Sequence, residues 1–303
     1  MYDTIGSFVS TNDRINQDCL INLNEYPNKY TGEPNVYGKL GNLKIKQVNG
    51  EVGFIGSLAK YYLGNSLRTL TRQSTERAFE KISDELCIKL KNARVYRLDI
   101  AGNFIMKNPY KEYLIYFGDC NYLPKSYWKD SAYYTNSKRQ LIFYDKPKEM
   151  KNKKIEIPEE FLEYKGRILR YELRLLKRVK DQLGKVVLLS DLYDEEFYIK
   201  VLNIWKDSYF AINKINSLNP SKMKNATSKE YKDYLLSYLM REKGLDHIFC
   251  NIDSNRDKFK SSIEASRLKA ELKKINNNSN YSEMNELIIE LDGKVKQAVK
   301  YYR

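Results

Sequence analysis

Arginines and carboxylates alternate at two places in this sequence, Arg97-x-Asp99 and Arg170-x-Glu172-x-Arg174. Between them a tyrosine is spaced in the same way from a lysine, Tyr144-x-Lys146. In an extended strand a spacing of two puts each set on one face. If the three strands lie side by side, two carboxylates, a phenol and several cations converge on one surface. That set suits phosphoryl transfer. Carboxylates can hold a divalent ion that polarises a phosphate and helps to ionise an attacking hydroxyl. Arginine and lysine bind the non-bridging oxygens. The tyrosine is then the nucleophile, and it needs help because a free phenol has a pKa of about 10. The structural alternative is a solvated antiparallel face, where charges of both signs are ordinary. Either arginine–carboxylate pair alone is a cheap pattern.

The rest of the composition narrows the chemistry. There is one histidine, His247, which reads as a structural residue near a helix end. No His-based zinc site, and no Ser–His or Cys–His pair with a histidine to spare, can be built. Metal chemistry would therefore use carboxylates, which favours Mg²⁺ or Mn²⁺ over Zn²⁺. Cys19, Cys87, Cys120 and Cys250 are scattered without metal-type spacing, which fits free thiols in a reducing cytoplasm. A net charge of +14 favours a polyanionic partner, nucleic acid first and an acidic membrane surface second. AT-rich coding bias toward Lys, Asn, Ile and Tyr is the bland explanation of that charge. No apolar run reaches the roughly 18–20 residues of a membrane span, and the opening MYDTIGSFVS lacks the features of a signal peptide.

The elements that must position these residues follow from patterning. Residues 2–9 read as a strand, and 10–40 as a polar, turn-rich segment. A hairpin follows, with Leu43, Ile45 and Val48 before Asn49-Gly50 and Val52, Phe54 and Ile55 after it. Phe79, Ile82, Leu86 and Leu90 predict a helix over about 73–91, with Thr71 as N-cap. Residues 94–104 alternate as a strand, with Tyr96, Leu98 and Ile100 on one face and Arg97 and Asp99 on the other. Residues 131–136 and 140–146 form a second hairpin, followed by a basic loop over 148–154. Residues 167–176 form a third alternating strand.

From about residue 188 the pattern is helical. Phe197, Val201, Ile204, Trp205 and Ile212 share one stripe, started by Ser190 or Asp191. Thr227-x-x-Glu230 is a capping box ahead of Tyr231, Tyr234, Leu235, Tyr238 and Leu239, with Gly244 as C-cap. Two more helices follow, one carrying a basic face and one running from about Ser282, through Met284 and Leu287, to Tyr301. The expected fold is α+β: a central, largely antiparallel sheet with packed helices, then an all-helical C-terminal region. The expected division is a catalytic domain over 1–185 and a helical DNA-recognition or oligomerisation domain over 186–303.

The succession GSLAKYYLGN, a helix, VYRLDIAGNF, RQLIFYDKPKE and LRYELRLLK resembles the replication initiators of filamentous phages and the related phage and plasmid replication proteins. It is similar, more distantly, to the initiators of small staphylococcal rolling-circle plasmids. The resemblance covers roughly residues 56–180. It implies an endonuclease and ligase that nicks one strand at an origin, keeps the 5′ phosphate on tyrosine and leaves a 3′ hydroxyl as primer.

It assigns Tyr144 as nucleophile with Lys146 beside it, and Asp99, Glu172 and Glu149 as ligands for Mg²⁺ or Mn²⁺. Arg97, Arg139, Arg170 and Arg174 are the expected DNA contacts. Asn103 stands where some relatives carry a second acid. Tyr133 and Tyr134 are candidates for a second step, with aromatic packing as the alternative. The implied partners are origin DNA, single-stranded or in cruciform or supercoiled form, a host helicase or polymerase, and a second copy in a homodimer. The rival functions are a non-catalytic DNA-binding replication or regulatory protein and a mobilisation relaxase.

Overall fold

The computed structural model describes residues 1–28, 32, 34–128, 130–215, 217–218, 224–276, 282–283 and 285–302. The chain divides into two compact units, residues 1–115 with 119–213 and 290–303, and residues 116–118 with 214–289. The change of composition near residues 180–190 falls inside the first of them.

The first unit is built on a ten-stranded sheet, antiparallel at every pairing. Its strands are β1 (Tyr2–Ser10), β2 (Ile21–Pro27), β3 (Pro34–Leu40), β4 (Leu43–Val48), β5 (Glu51–Ser57), β6 (Arg94–Ile105), β8 (Lys125–Trp128), β9 (Ser131–Thr135), β10 (Arg139–Asp145) and β11 (Ile168–Leu175), with β7 (Phe117–Cys120) outside it. The order across the sheet is β2-β3-β4-β5-β1-β6-β11-β10-β9-β8. The α+β expectation holds. β6, β11 and β10, the three strands with the unusual polar faces, are immediate neighbours.

Local chemistry explains most of these elements. Asn49 and Gly50 both take positive φ, 52° and 71°, as a two-residue hairpin turn requires. Helix α1 (Leu58–Leu63) is capped by Ser57 and α2 (Arg72–Leu86) by Thr71, which forms a capping box with Ser74. Cys87 takes a left-handed conformation and ends α2, so Leu90 lies beyond the helix.

Three expectations about the sheet and its connections need correcting. Residues 10–40 contain β2 and β3. β2 is exposed along its whole length at the sheet edge, so it has no alternation to reveal it. The basic loop expected over 148–154 is mostly helix α4 (Lys146–Asn152), nucleated by Asp145, whose side chain accepts from Lys148 N, and by Pro147 in the first turn. Tyr96 leaves the core face because the β1–β6 register shifts between Gly6 and Ser7. It packs over Gly6 and against Phe8, 40% exposed.

After the short helices α3 (Tyr110–Leu114) and α5 (Val179–Leu183), α6 (Glu195–Phe210) packs on the apolar face of β6, β10 and β11. Asp194, rather than Ser190 or Asp191, caps it, because those two belong to a 3₁₀ turn over Leu189–Tyr193. Tyr171 of β11 stacks on Phe143 of β10 at 4.8 Å and on Trp205 of α6 at 4.9 Å, and its hydroxyl donates to Trp205 O at 2.9 Å. Such rings each remove roughly 150–250 Å² from water, so this cluster fixes the helix against the strands that carry the polar residues on their other side. Gly102 of β6 makes the fit. A Cβ there would lie 3.0 Å from the Trp205 ring.

In the second unit, α7 (Ser228–Lys243), α8 (Leu245–Ser254) and α9 (Ser262–Asn276) surround Met240, Ile252, Ala265, Leu272 and Ile275. The Thr227–Glu230 capping box is present, and Gly244 ends α7. The side of α7 turned inward carries Ser237 and Met240, so Tyr231, Leu235, Tyr238 and Leu239 stay about half exposed and are not its buried stripe. The last helix, α10 (Glu286–Tyr301), begins four residues later than Ser282; Met284 lies outside the described residues. Among the described residues no helix is long and apolar enough to cross a membrane.

Candidate active site on the polar face of the sheet

Register brings the candidate residues together. Arg174 of β11 pairs with Asp99 of β6, and Arg170 with Asn103. On the other side Arg170 pairs with Tyr144 and Glu172 with Ile142. The Tyr144 hydroxyl reaches diagonally and donates to Glu172 Oε2 at 3.1 Å. Arg174 Nε donates to Glu172 Oε1 at 3.1 Å and lies 3.8 Å from Asp99 Oδ2. Arg97 grips Asp99 from the same strand at 3.2 and 2.8 Å.

Arg170 is the buried centre of the face. Its Nη1 donates to Ser66 O at 3.0 Å and Asn103 Oδ1 at 3.2 Å. Nη2 lies 2.9 Å from Asp3 Oδ2 and Nε 3.6 Å from Glu172 Oε2. Neither of these last two contacts has hydrogen-bond alignment, so they act as charge pairing.

Burial sets the acid–base character. It pushes the Tyr144 phenol well above the usual range, with the Arg170 guanidinium opposing, so the hydroxyl is protonated at neutral pH. Burial is also the largest influence on Asp99 and raises it to about 6, against the hydrogen bonds from Arg97. A carboxyl whose folded value lies above its unfolded one contributes stability that is complete below about 3.8 and is lost as pH rises through about 6. Asp99→Asn, neutral at every pH, is therefore expected to be more stable than the parent at pH 7.5, by an amount on the order of 1–3 kcal/mol. The gain should shrink toward pH 4. Urea unfolding at the two pH values checks this, and an equal difference at both would contradict the assignment.

The other expected residues fall in three places. Lys146 is the first residue of α4 and is buried, with Nζ donating to Glu149 Oε2 at 2.8 Å. Glu149 Oε1 is taken by Lys153. Burial, then Arg170, lowers Lys146 from the ordinary lysine range. Arg139 is on the opposite side of β10 from Tyr144, paired across from Leu175, and its Nε donates to Gln182 at 2.9 Å. The structure does not bring it to the site. Tyr134 is buried against Phe143 on the core side. Tyr133 is on the site face, opposite Ile142, and lines the same groove as Tyr144.

Asp3 escaped sequence reasoning. It accepts from Ser57 Oγ at 2.7 Å and pairs with Arg170 because β1 runs through the middle of the sheet. Asn103 provides an oxygen to Arg170 and donates to Ser66 O and Leu67 O, which ties the loop after α1 to the site.

Among the described residues no three His, Cys, Asp or Glu side chains gather tightly enough to hold a metal alone. Asp99 and Glu172 nevertheless both lie near one cationic atom, Arg174 Nε, at 3.8 and 3.1 Å. Two hard carboxylates completed by substrate phosphate oxygens are a usual Mg²⁺ donor set. Glu149 fits less well, since both its oxygens engage lysines.

A basic α+β protein whose sheet carries such a face is of a class suited to a polyanionic partner. The family model for the N-terminal part of a phage replication-associated protein matches residues 6–206, and the chain belongs to that family. It is thus a replication-associated initiator of the filamentous-phage type, which places it in rolling-circle replication. Apart from residues 116–118 the match falls in the first unit, and it includes β6, β10 and β11. No curated protein matches the chain.

Proposed function

We propose that this protein nicks and rejoins one DNA strand at a replication origin through a covalent phosphotyrosine on Tyr144. The observation that carries the reading is the Tyr144 hydroxyl donating to Glu172 at 3.1 Å between two guanidinium groups. A phenol raised by burial is a poor nucleophile until a base takes its proton, and Glu172 Oε2 is in place to do so. Tyr144 Oη then attacks the scissile phosphorus. The Oη–P bond forms and the P–O3′ bond breaks, leaving the 5′ phosphate on Tyr144, and O3′ takes a proton from solvent. Rejoining is the reverse displacement by the 3′ hydroxyl.

Arg174, partly exposed, offers its guanidinium to the non-bridging oxygens, where negative charge accumulates in the transition state. Arg170 is buried and orients Glu172 and Asp3 rather than reaching the strand. Asp99 and Glu172 would hold Mg²⁺ or Mn²⁺, which supplies a Lewis acid for the phosphate.

Purified protein, Mg²⁺ or Mn²⁺ and supercoiled origin plasmid are expected to give relaxed circles and a protein–DNA adduct. Tryptic digestion of the adduct should place the nucleotide on the peptide containing Tyr144. An adduct on any other tyrosine defeats the assignment, and relaxation undiminished in EDTA defeats the metal.

A further inference from the structure

We propose that the groove running from Tyr144 to the sheet edge is a subsite for single-stranded DNA, in which Trp128 stacks on an unpaired base next to the scissile phosphate. This rests on the nicking reading and names the part of the substrate the groove receives.

The argument begins with register. Tyr133 of β9 pairs with Ile142 of β10, so Ser131, two residues earlier, is on the same face as Tyr144. Ser131 pairs in turn with Trp128 of β8. Trp128 and Tyr144 therefore share a face two strands apart, about 10 Å at the backbone, with only the small Ser131 between them. The resulting groove, of about 400 Å³, is lined by both rings and by Tyr133, Arg174, Lys148 and Lys153. β8 is the edge strand, and Trp128 is 68% exposed there.

About two-thirds of the Trp128 surface is open to solvent at the mouth of the groove, which leaves a ring face free to stack. Flat aromatic rings with cationic side chains near them are what a single strand needs, the rings to stack on its bases and the cations to meet its phosphates. The groove also holds three acids, each with a partner, and Glu149 is engaged by Lys146 and Lys153. Asp130 is held by Lys111 at 2.7 Å and by Lys148. Asp145 caps α4. Within a paired duplex the bases stay stacked on one another, so only its free ends could offer a face to Trp128.

The chain has two tryptophans, and the other, Trp205, is fully buried. Quenching of tryptophan emission by a stacked base thus reports on Trp128. The full-length protein, without divalent metal, is titrated with a dodecameric oligothymidylate, and binding is followed in parallel by anisotropy of a labelled copy. Emission is expected to fall toward the level of Trp128→Phe. That variant should bind nearly as well as the parent, and Trp128→Ala on the order of tenfold more weakly. A relaxed, covalently closed circular duplex, which has no free ends, should leave the emission unchanged.

An oligomer that binds without quenching, or binds Trp128→Ala as tightly as the parent, overturns the subsite. So does equal quenching by the duplex. The two readings fail separately. An adduct on Tyr144 without quenching defeats stacking and leaves nicking intact, whereas quenching with no adduct on any DNA defeats nicking and leaves the subsite.

Discussion

Tyr144→Phe is expected to bind DNA as the parent does and to lose nicking and covalent attachment together, by roughly 10⁴-fold or more. The separation follows from what the hydroxyl touches. Its one hydrogen bond in the structure goes to Glu172, which keeps Arg174 at 3.1 Å and Arg170 at 3.6 Å when the hydroxyl is removed. The ring itself is retained in a half-buried position, so the change in stability should stay within about 1 kcal/mol. The chemistry has no such reserve, because the oxygen that forms the bond to phosphorus is gone. Relaxation of supercoiled origin plasmid, adduct formation on denaturing gels and filter binding read the three quantities. Wild-type adduct from this variant refutes the role. Residual adduct mapping to Tyr133 would move the nucleophile one strand along the same face.

Much of this face was legible in the sequence because strands have a period of two and the three motifs keep it. Arg97/Asp99, Tyr144 and Arg170/Glu172/Arg174 each fall on the side away from an apolar set, and the sheet supplies the adjacency that the sequence left as a condition. What could not be read were the partners supplied from elsewhere. Asp3 belongs to a strand whose neighbours in the sheet are β5 and β6, far along the chain, and nothing near residue 3 announces an arginine.

Arg139 failed for the opposite reason. It is one residue from Gln140, which is on the site side and accepts from Arg174, and one residue is enough to turn a side chain to the other face. Tyr96 was misplaced by a register shift, which alternation cannot foresee. Trp128 gave no signal, because an exposed edge residue has no periodic context and its meaning comes only from Tyr144 two strands away.

Arg170 is the residue on which the arrangement depends, and Arg170→Met should test that more severely than any change at the rim. The guanidinium is buried and joins four elements: β1 through Asp3, the loop after α1 through Ser66, β6 through Asn103, and Glu172 on its own strand. Methionine matches part of its volume but leaves the Asp3 and Glu172 carboxylates in the interior with a cation removed. Breaking a buried pair in this way costs about 3–5 kcal/mol, enough to remove much of the stability of an ordinary domain.

The sign of the pH dependence separates charge from packing. Burial would raise the Asp3 carboxyl, but Arg170 and the other cations hold it below the usual range. A depressed acid contributes stability above its unfolded pKa, lost as pH falls through the folded value. Without the guanidinium, burial prevails and the Asp3 value rises, so the carboxylate becomes a liability at neutral pH that protonation relieves. The deficit of Arg170→Met, measured by urea unfolding, should be full at pH 7.5 and shrink as pH falls, first as the variant's raised Asp3 carboxyl protonates and then as the parent's depressed one does. A deficit that is the same at both ends would mean that Arg170 acts by filling space, and Glu172 would then need another explanation for its position under Tyr144.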